Sequence, residues 1–419
     1  MNFAALPSQD VTSRTTRPSA TSDPEVVLDL SRLLSRVLHA TPTGVDRVEM
    51  AYARGLMAVI PDRLRFAAVH PGGVYGRLPR SAVLRFLDRT EARWENDGHI
   101  SQSALRRFAA ETLLSLRPRP VSGRSSDATV YVQSSPHHLT RPKLVGRILQ
   151  RERARFICLV HDLIPLEYPE YARPDGAAQH RKRVDTIVRH ADGIIANSNA
   201  TLRALEAYLT EAGRTPHVRV AHLGTYDAPK PVPPLSDRPY FVCIGTIEPR
   251  KNHLLLLNIW RRLSEIHGPR SIPKLILIGR RGWENEQIVD MLDRCPALNS
   301  CVEEYSGLPD RQVRTLLAGA RALLLPSFAE GYGMPVTEAL DMGVPVICSD
   351  LPALREAGGD APDYVDPLDG PEWIRLLQSY ALEASPERAA QIDRLSAWVR
   401  PTWQKHIQYV REMIEDIVA

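Results

Sequence analysis

Short apolar runs alternate with stretches of helical spacing along most of the chain. In the first half the apolar runs are VVLDL, LRFAAVH, ATVYVQ, RFICLVH, GIIANS and VRVAHLG. Between them lie stretches such as VDRVEMAYARGLMAV, in which apolar residues recur with the period of an α-helix. Strands that are apolar throughout are typical of parallel sheets covered by helices on both faces. The pattern therefore predicts an α/β fold.

A proline-rich segment divides this alternation into two parts. TYDAPKPVPPLSDRPY has prolines at 229, 231, 233 and 234, which suit neither a helix interior nor a central strand. The alternation then restarts with YFVCIG, KLILIG, CVEEYSG, RALLLPS, VPVICSD and DYVDP. We therefore predict two doubly wound domains, over 25–224 and 240–400, joined by a linker over 225–239. The C-terminal segment, 401–419, has helical spacing.

Composition restricts the class of protein. The chain has 419 residues, of which 43% are hydrophobic and 24% charged, as in a globular protein of two or three domains. No apolar run approaches the roughly 18 residues of a membrane-spanning helix. Residues 1–24 are rich in Ser, Thr, Pro and Asp, which predicts a disordered tail. The five cysteines are scattered without a CxxC pair, which argues against a metal site and favours reduced core residues in the cytoplasm.

The net charge of +4 is unevenly distributed. Between Arg141 and Arg155 basic residues stand at 141, 143, 147, 151, 153 and 155, against Glu152 alone. One interpretation is a solvated helix face. The alternative is a surface that meets phosphates or an anionic membrane, which would place the protein at the inner face of the cell membrane. Nucleic acid is disfavoured as a partner, because no aromatic residues or known module accompany the charge.

In open α/β sheets, ligands bind beyond the carboxyl ends of the strands. Arg250 and Lys251 follow the run YFVCIG and precede a helical stretch. A pair of cations beside a helix N-terminus suits a diphosphate, because the backbone amides and the helix dipole add to the attraction. The alternative is an ordinary charged turn at the surface.

Two carboxylates bracket a glycine-rich turn in the stretch FAEGYGMPVTEALDMG. We predict that Pro335 begins a helix, with Glu338 in its first turn and Glu330 in the loop before it. A carboxylate accepts hydrogen bonds from two hydroxyls at once, as a sugar or ribose diol offers them. This arrangement can bind a molecule with hydroxyls at both ends and an anion in the middle. Alternatively, Glu338 only complements the helix dipole and Glu330 is an exposed loop residue.

Two further strand ends carry polar residues. His161 ends the run RFICLVH and Asp162 follows it, and a histidine at this strand end faces either the site or the core. Gly44, Asp46 and Arg47 lie where the first strand-to-helix connection leads into a helix, although an ordinary helix N-cap explains them equally well.

Together these segments resemble the GT-B retaining glycosyltransferases of glycosyltransferase family 4, in particular a bacterial mannosyltransferase-like group. The most specific match is the pair of glutamates with seven residues between them, Glu330 and Glu338, within SFAEGYGMPVTEAL. The other matching segments are GTIEPRKN (245–252), VHDLIP (160–165) and IIANSNAT (194–201). The resemblance is stronger in the C-terminal half of the chain.

The resemblance implies a role for each candidate residue. Arg250 and Lys251 would bind the donor's diphosphate, and Glu338 would bind its ribose. Glu330, with the amides of Gly331, Tyr332, Gly333 and Met334, would bind the donor sugar. Gly279, Arg280 and Leu308 would lie near the base. His161 would lie beside the anomeric carbon, and the acceptor side would comprise Gly44, Asp46, Arg47 and Asp162.

The resemblance also implies an activity. It is the transfer of a hexose from a nucleoside-diphosphate sugar to a lipid-linked or growing bacterial glycan, with retention of configuration. The resemblance favours mannose as the hexose and a GDP-sugar as the donor. Neither a metal nor a cofactor is expected, and residues 401–419 would form a helix that returns to the N-terminal domain. The alternatives are a nucleotide-sugar epimerase or sucrose-type synthase on the same fold, or a non-catalytic nucleotide-sugar-binding subunit. A dinucleotide-binding oxidoreductase is disfavoured, because no GxGxxG follows the first strand.

Overall fold

The computed structural model describes residues 23–96, 101–120, 128–226 and 238–419. Within these ranges the N-terminal domain is built on a seven-stranded sheet with the strand order β3-β2-β1-β4-β5-β6-β7. Its strands are β1 (Glu25–Asp29), β2 (Leu64–Val69), β3 (Tyr75–Leu78), β4 (Thr129–Gln133), β5 (Ala154–Val160), β6 (Gly193–Ala196) and β7 (His217–Val220).

The C-terminal domain has a six-stranded sheet within the same ranges, in the order β10-β9-β8-β11-β12-β13. All of its pairings are parallel. Its strands are β8 (Tyr240–Ile244), β9 (Lys274–Ile278), β10 (Val302–Tyr305), β11 (Leu323–Leu325), β12 (Val346–Ser349) and β13 (Asp363–Val365). In each domain the strand order reverses beside the first strand, which is the doubly wound arrangement expected from the sequence.

The strands coincide with the apolar runs, with one exception. Strand β3, YGRL, was not expected, and it pairs antiparallel with β2 through contacts such as Phe66 with Leu78. A short edge strand with only two apolar residues gives no run to detect, so the N-terminal sheet is mixed rather than wholly parallel.

Helices cover both faces of both sheets. In the N-terminal domain they are α1 (Ser31–Ser35), α2 (Gly44–Val59), α3 (Arg80–Asn96), α4 (Gln102–Ser115), α5 (Pro142–Glu152), α6 (Ile164–Glu167), α7 (Gly176–His190) and α8 (Asn199–Glu211). The later helices are α9 (His253–His267), α10 (Glu286–Arg294), α11 (Asp310–Ala318), α12 (Met334–Asp341), α13 (Pro352–Gly358), α14 (Gly370–Ala381), α15 (Pro386–Leu395) and α16 (Trp403–Asp416). No helix in the described ranges is long and apolar enough to cross a membrane.

The last helix, α16, packs on the N-terminal domain, against α2 and the β6–β7 edge. Its apolar side consists of Ile407, Val410 and Ile414, which are buried. His406 is also buried, and its Nε2 lies 2.8 Å from the hydroxyl of Tyr52 on α2. The chain therefore crosses from the C-terminal domain back to the first domain before it ends.

The two crossings between the domains lie side by side. Thr225 forms an isolated bridge with Thr402, and its backbone N–H donates to the carbonyl of Pro401 at 3.1 Å. Gly224 permits this approach, since a Cβ there would lie 2.1 Å from the backbone nitrogen of Trp403. The predicted tail over 1–24 and linker over 225–239 fall almost wholly outside the described residues. Of the linker's first residues, Thr225 is fixed against the second crossing.

Candidate functional site

A cavity of about 570 Å³ lies between the carboxyl ends of the two sheets, within the size range of small-molecule sites. We call it the main cleft. It is lined by every predicted site residue except Asp46, namely Gly44, Arg47, His161, Asp162, Arg250, Lys251, Gly279, Arg280, Leu308, Glu330, Gly331, Tyr332, Gly333, Met334 and Glu338. Residues from both domains therefore converge on one space.

Glu330 lies at the centre of a charged cluster in the main cleft. Its Oε1 accepts hydrogen bonds from Lys251 Nζ at 2.5 Å and from Ser327 Oγ at 2.6 Å, and its Oε2 accepts one from Arg250 Nη1 at 2.9 Å. Arg250 is also bonded to Glu248 Oε1 at 2.7 Å. The sequence placed the cations and Glu330 at different parts of a ligand, whereas the structure joins them in one network.

The charges in this cluster determine how its members ionise. Burial alone raises the pKa of Glu330, but Lys251 and Arg250 outweigh burial and lower that pKa to about 2. Burial likewise opposes the charge of Arg250, yet Glu330 and Glu248 raise its pKa above the ordinary value. Glu330 is therefore a carboxylate at neutral pH, and Arg250 remains charged.

Helix α12 begins one residue earlier than the sequence predicted. Gly333, with φ +111°, is its N-cap, and Met334 is its first residue. Pro335 is therefore the second residue of the helix, and Glu338 lies in the second turn, so the placement of Glu338 in the first turn was wrong. The cause is the left-handed conformation of Gly333, which turns the chain into the helix before the proline.

Glu338 faces a charged pair that joins the two domains. Arg47 on α2 donates to both carboxylate oxygens of Asp310, the first residue of α11, with Nη2 2.6 Å from Oδ1. Burial raises the pKa of Glu338, Arg47 opposes that rise and Asp310 adds to it. Asp310 was not among the predicted site residues, although only the segment SGLP separates it from the end of strand β10.

Gly331 forms a contact surface between the domains. Its carbonyl accepts hydrogen bonds from Ser198 Oγ at 2.6 Å and Thr201 Oγ1 at 3.1 Å. A Cβ at this position would lie 2.3 Å from the backbone oxygen of His161, so only glycine permits the observed approach. The loop between Glu330 and α12 is thus held against the end of β5.

His161 is held by its backbone surroundings. Its Nε2 lies 2.8 Å from the carbonyl of Ser134, so Nε2 carries the proton and donates it to that oxygen. Burial lowers the pKa of His161, which keeps the ring neutral at pH 7. Asp162 Oδ1 accepts a hydrogen bond from the backbone N–H of Ile164 at 3.2 Å, at the beginning of α6.

Of the residues predicted at the first strand-to-helix connection, some lie in the main cleft and one lies in the interior of the N-terminal domain. Gly44 is the first residue of α2, and a Cβ there would lie 3.5 Å from the sulfur of Met334. Asp46 does not line the cleft, because its carboxylate is 1% exposed and binds Arg32 and Arg36. The acceptor-side role predicted for Asp46 is therefore not supported by its position. This residue closes the capping box at the start of α2.

The far end of the cleft lies between β8 and β9. A Cβ on Gly279 would lie 1.8 Å from the carbonyl oxygen of Gly245, so the two strand ends approach closely there. Arg280 reaches across to the first domain, with Nη2 2.7 Å from Thr41 Oγ1. Leu308 and the partly exposed Trp283 complete this end.

A second contact between the domains, at Glu356, was missed by the sequence analysis. Glu356 on α13 accepts hydrogen bonds from the backbone N–H groups of Asn199 at 2.6 Å and Ala200 at 2.8 Å. It also lies 3.3 Å from His222 Nε2. A side chain of one domain thereby caps the first turn of α8 in the other. IIANSNAT was noted as a motif, but nothing in LREAG identified its partner.

Among the described residues, no group of three or more His, Cys, Asp or Glu side chains is arranged to hold a metal ion. The cysteines described there are free, and four of them, at 158, 243, 301 and 348, are buried. Burial raises the pKa of Cys158 and of Cys243 to about 12. These thiols are therefore protonated core residues.

Residues 227–362 match the family model "Glycosyl transferases group 1". The chain carries a glycosyltransferase group 1 domain. This domain contains Arg250, Lys251, Glu330 and Glu338, so the charged cluster of the main cleft lies within the matched region. The resemblance inferred from these motifs is thereby confirmed for the domain.

Curated relatives that match this domain and part of the N-terminal domain include bacterial mannosyltransferases. The serotype-specific mannosyltransferase WbdA of Escherichia coli is 28% identical over 295 residues, which are 62% of this chain and 35% of WbdA. The O-antigen chain mannosyltransferase B of E. coli is 26% identical over 337 residues, 78% of this chain and 84% of that protein. The chain thus spans only about a third of the length of WbdA.

Solved structures share the two-domain fold over most of this chain. HepE of Anabaena, in complex with UDP and glucose, has a TM-score of 0.62 and 15% identity and covers 94% of this chain and 99% of its own. Sucrose-phosphate synthase from Thermosynechococcus elongatus has a TM-score of 0.61 and 16% identity, with the same coverage. The two-domain GT-B fold is confirmed by these structures.

Proposed function

We propose that this chain is a retaining glycosyltransferase that moves a hexose from a nucleoside-diphosphate sugar to a lipid-linked or growing bacterial glycan. Mannose is the hexose that we favour. The observation that carries the proposal is the convergence of Arg250, Lys251, Glu330 and Glu338 with His161 in one cleft. The names of the E. coli relatives support mannose and a polysaccharide acceptor, and a GDP-sugar is the donor that we favour.

Arg250 and Lys251 would bind the diphosphate of the donor. Negative charge develops on the nucleoside diphosphate as it leaves, and fixed cations stabilise that charge without reorganising. Both side chains are buried on most of their surface, which strengthens their interaction with an anion. The N-terminus of α12, at Met334, adds the positive end of the helix dipole to this field. These groups would perform the task without a metal ion.

The two glutamates would bind opposite ends of the donor. Glu338, beside Arg47, would accept hydrogen bonds from the ribose, while Glu330 would accept them from the transferred sugar. Lys251 and Arg250 hold Glu330 ionised, so it is a fixed acceptor and a poor nucleophile. With the sugar held in this way, we propose that the acceptor hydroxyl attacks on the face from which the diphosphate leaves, which retains the configuration. The bond from the anomeric carbon to the diphosphate breaks, and the proton of the hydroxyl passes to the departing diphosphate oxygen.

His161 would contact the acceptor side of the reacting carbon. Because its Nε2 donates to the carbonyl of Ser134, its Nδ1 is left as a hydrogen-bond acceptor. Gly331 accepts hydrogen bonds from Ser198 and Thr201 of the other domain. These contacts would hold the cleft closed around the donor and keep out water, which would otherwise compete with the acceptor.

The basic helix α5 is the proposed contact with the membrane, where a lipid-linked acceptor would reside. Val145 and Ile148 face the domain, while Lys143 and Arg147 are exposed. In the part of the chain that the structure describes, neither of these two side chains forms an ion pair with an acidic residue. Such cations are attracted to anionic headgroups by roughly 1 kcal/mol each near the surface.

The test is a transfer assay with a panel of GDP- and UDP-sugars and manno-oligosaccharide acceptors, with and without EDTA. We expect nucleoside diphosphate release that depends on the acceptor, persists in EDTA and yields a product with the anomeric configuration of the donor. Donor turnover without any acceptor would instead favour an epimerase. Binding without turnover would favour a non-catalytic subunit.

A further inference from the structure

A second cavity, of about 370 Å³, adjoins the main cleft behind the Glu330–Gly331 loop. We call it the rear cavity. Asp162, Ile164, Glu330 and Gly331 line both spaces, so the rear cavity begins where the main cleft ends. Its remaining walls come from both domains and include residues of α6, α8 and the start of α13. None of the roles proposed above uses it.

Aromatic rings form one side of the rear cavity. Phe328 and Tyr168 line it, and each ring stacks on Tyr171 between them. The Tyr171 and Phe328 rings are nearly parallel, at 9° with centroids 5.9 Å apart, and Tyr168 lies 5.9 Å from Tyr171 at 30°. Tyr168 is 41% exposed. Two domains thus each contribute an aromatic ring to the rear cavity, and the Tyr168 ring lies beside solvent.

Charged groups stand beside these rings. Glu167 and Arg203 line the same cavity and are exposed. Within the described residues, neither of them forms an ion pair with another side chain. A carboxylate that accepts and a guanidinium that donates can together satisfy the hydroxyls of a polar ligand. The exposed ring of Tyr168, with hydroxyl-binding groups beside it, matches a pyranose ring, which has an apolar C–H face and a hydroxylated rim.

We propose that the rear cavity binds the acceptor glycan, at sugars that precede the one receiving the transferred residue. This inference rests on the proposed function, because it presupposes that a glycan end enters the main cleft near Glu330. The position fits: an acceptor whose terminal sugar lies beside Glu330 would continue past Asp162 and Ile164 onto the exposed ring of Tyr168. Longer acceptors therefore bind more tightly than a single sugar.

The test measures mannose, mannobiose and mannotetraose binding by calorimetric titration, with the protein saturated in GDP. Tyr168→Ala removes the exposed ring, Tyr168→Phe keeps the ring without its hydroxyl, and Tyr409→Ala is a control on α16, away from both cavities. We expect mannotetraose to bind wild type more tightly than mannose does. We also expect Tyr168→Ala to lose about fivefold in mannotetraose affinity, while Tyr168→Phe and Tyr409→Ala lose none.

Equal mannotetraose affinity in wild type and Tyr168→Ala would overturn the rear-cavity proposal, as would a wild type that binds mannotetraose no better than mannose. GDP affinity, measured on the same samples, separates this failure from that of the proposed function. GDP binding with no effect of glycan length rejects only the rear cavity. Absence of both GDP and UDP binding in wild type rejects the donor site itself.

Discussion

The ammonium of Lys251 lies 2.5 Å from Glu330 Oε1 inside the main cleft, where we propose that Lys251 binds the diphosphate of the donor. The carboxylate therefore keeps the cation in place when no ligand is bound, and a diphosphate must share Lys251 with it. A lysine side chain that an ion pair already holds in place loses less conformational freedom when it binds a ligand than an unpaired lysine would.

Replacing Lys251 by alanine should weaken nucleoside diphosphate binding by about 1.5–3 kcal/mol, because a charge-assisted hydrogen bond is lost. Calorimetric titration of GDP and UDP measures this loss. Lys405→Ala, an exposed lysine on α16, is the matched control and should bind like wild type. If Lys251→Ala binds both nucleotides as wild type does, Lys251 is not part of the donor site.

The two glutamates should respond differently to the same substitution. Glu338→Gln should weaken nucleoside diphosphate binding by about 1–3 kcal/mol, because the ribose loses a charged acceptor. Glu330→Gln removes a competitor for Arg250 and Lys251, so the nucleotide should bind at least as tightly while turnover falls. Product titration and steady-state kinetics on both variants test this. Equal loss of nucleotide affinity in the two variants contradicts the proposed division.

Glu356→Gln should shift the two domains towards a more open arrangement. The carboxylate accepts bonds from Asn199 and Ala200, and its pKa is lowered to about 2 by His222 and these amides despite partial burial. A neutral amide caps a helix more weakly, and the loss falls wholly on contacts between domains. Small-angle scattering should show a larger radius of gyration, and kcat/KM should fall. Glu383→Gln, an exposed substitution, serves as control, and identical scattering curves would refute the effect.

The buried carboxyl of Glu49 should make stability depend on pH. Burial and the nearby Asp29 raise its pKa from 4.5 to about 8. The folded state therefore holds a proton that the unfolded state releases, so the stabilisation is complete below pH 4.5 and is lost as pH rises towards 8. The slope is at most about 1.4 kcal/mol per pH unit. Urea unfolding at a series of pH values should show a shallower decline for Glu49→Gln. Parallel curves would show that Glu49 titrates normally.

Charge reversal on α5 tests the membrane contact. Lys143→Glu with Arg147→Glu should abolish the preference for anionic over neutral liposomes, and rising salt should reduce that preference in wild type. Arg106→Glu with Arg107→Glu, which changes the charge of α4 by the same amount, should leave co-sedimentation unchanged. If both double variants lost binding to anionic liposomes equally, the effect would be one of net charge in general. If wild type showed no preference for anionic liposomes, α5 would be an ordinary solvent-exposed helix.

The site residues that follow strand ends could be predicted from the sequence, because buried strands can be recognised as runs of apolar residues. Arg250, Glu330 and His161 were found in this way. Strand β3 was missed since its four residues give no apolar run. Asp46 was misassigned, because nothing local shows that Arg32 and Arg36 occupy its carboxylate.

Contacts between the domains could not be predicted, because they depend on how two separately folded units meet. Asp310 meets Arg47 across 263 positions of the chain, and Glu356 meets Asn199 across 157. No periodicity relates such residues. The start of α12 was predicted one residue too late, since sequence signals place a helix end only to within a residue or two.

The neighbouring crossings at Thr225 and Thr402 have a mechanical consequence. A body tethered at a single point can swivel about three axes, whereas two adjacent tethers favour rotation about the line that joins them. The two domains should therefore open and close by a hinge rotation about a single axis. Each closure then brings the Gly331 carbonyl back to Ser198 and Thr201 in the same register, so the geometry of the cleft is reproduced from one turnover to the next.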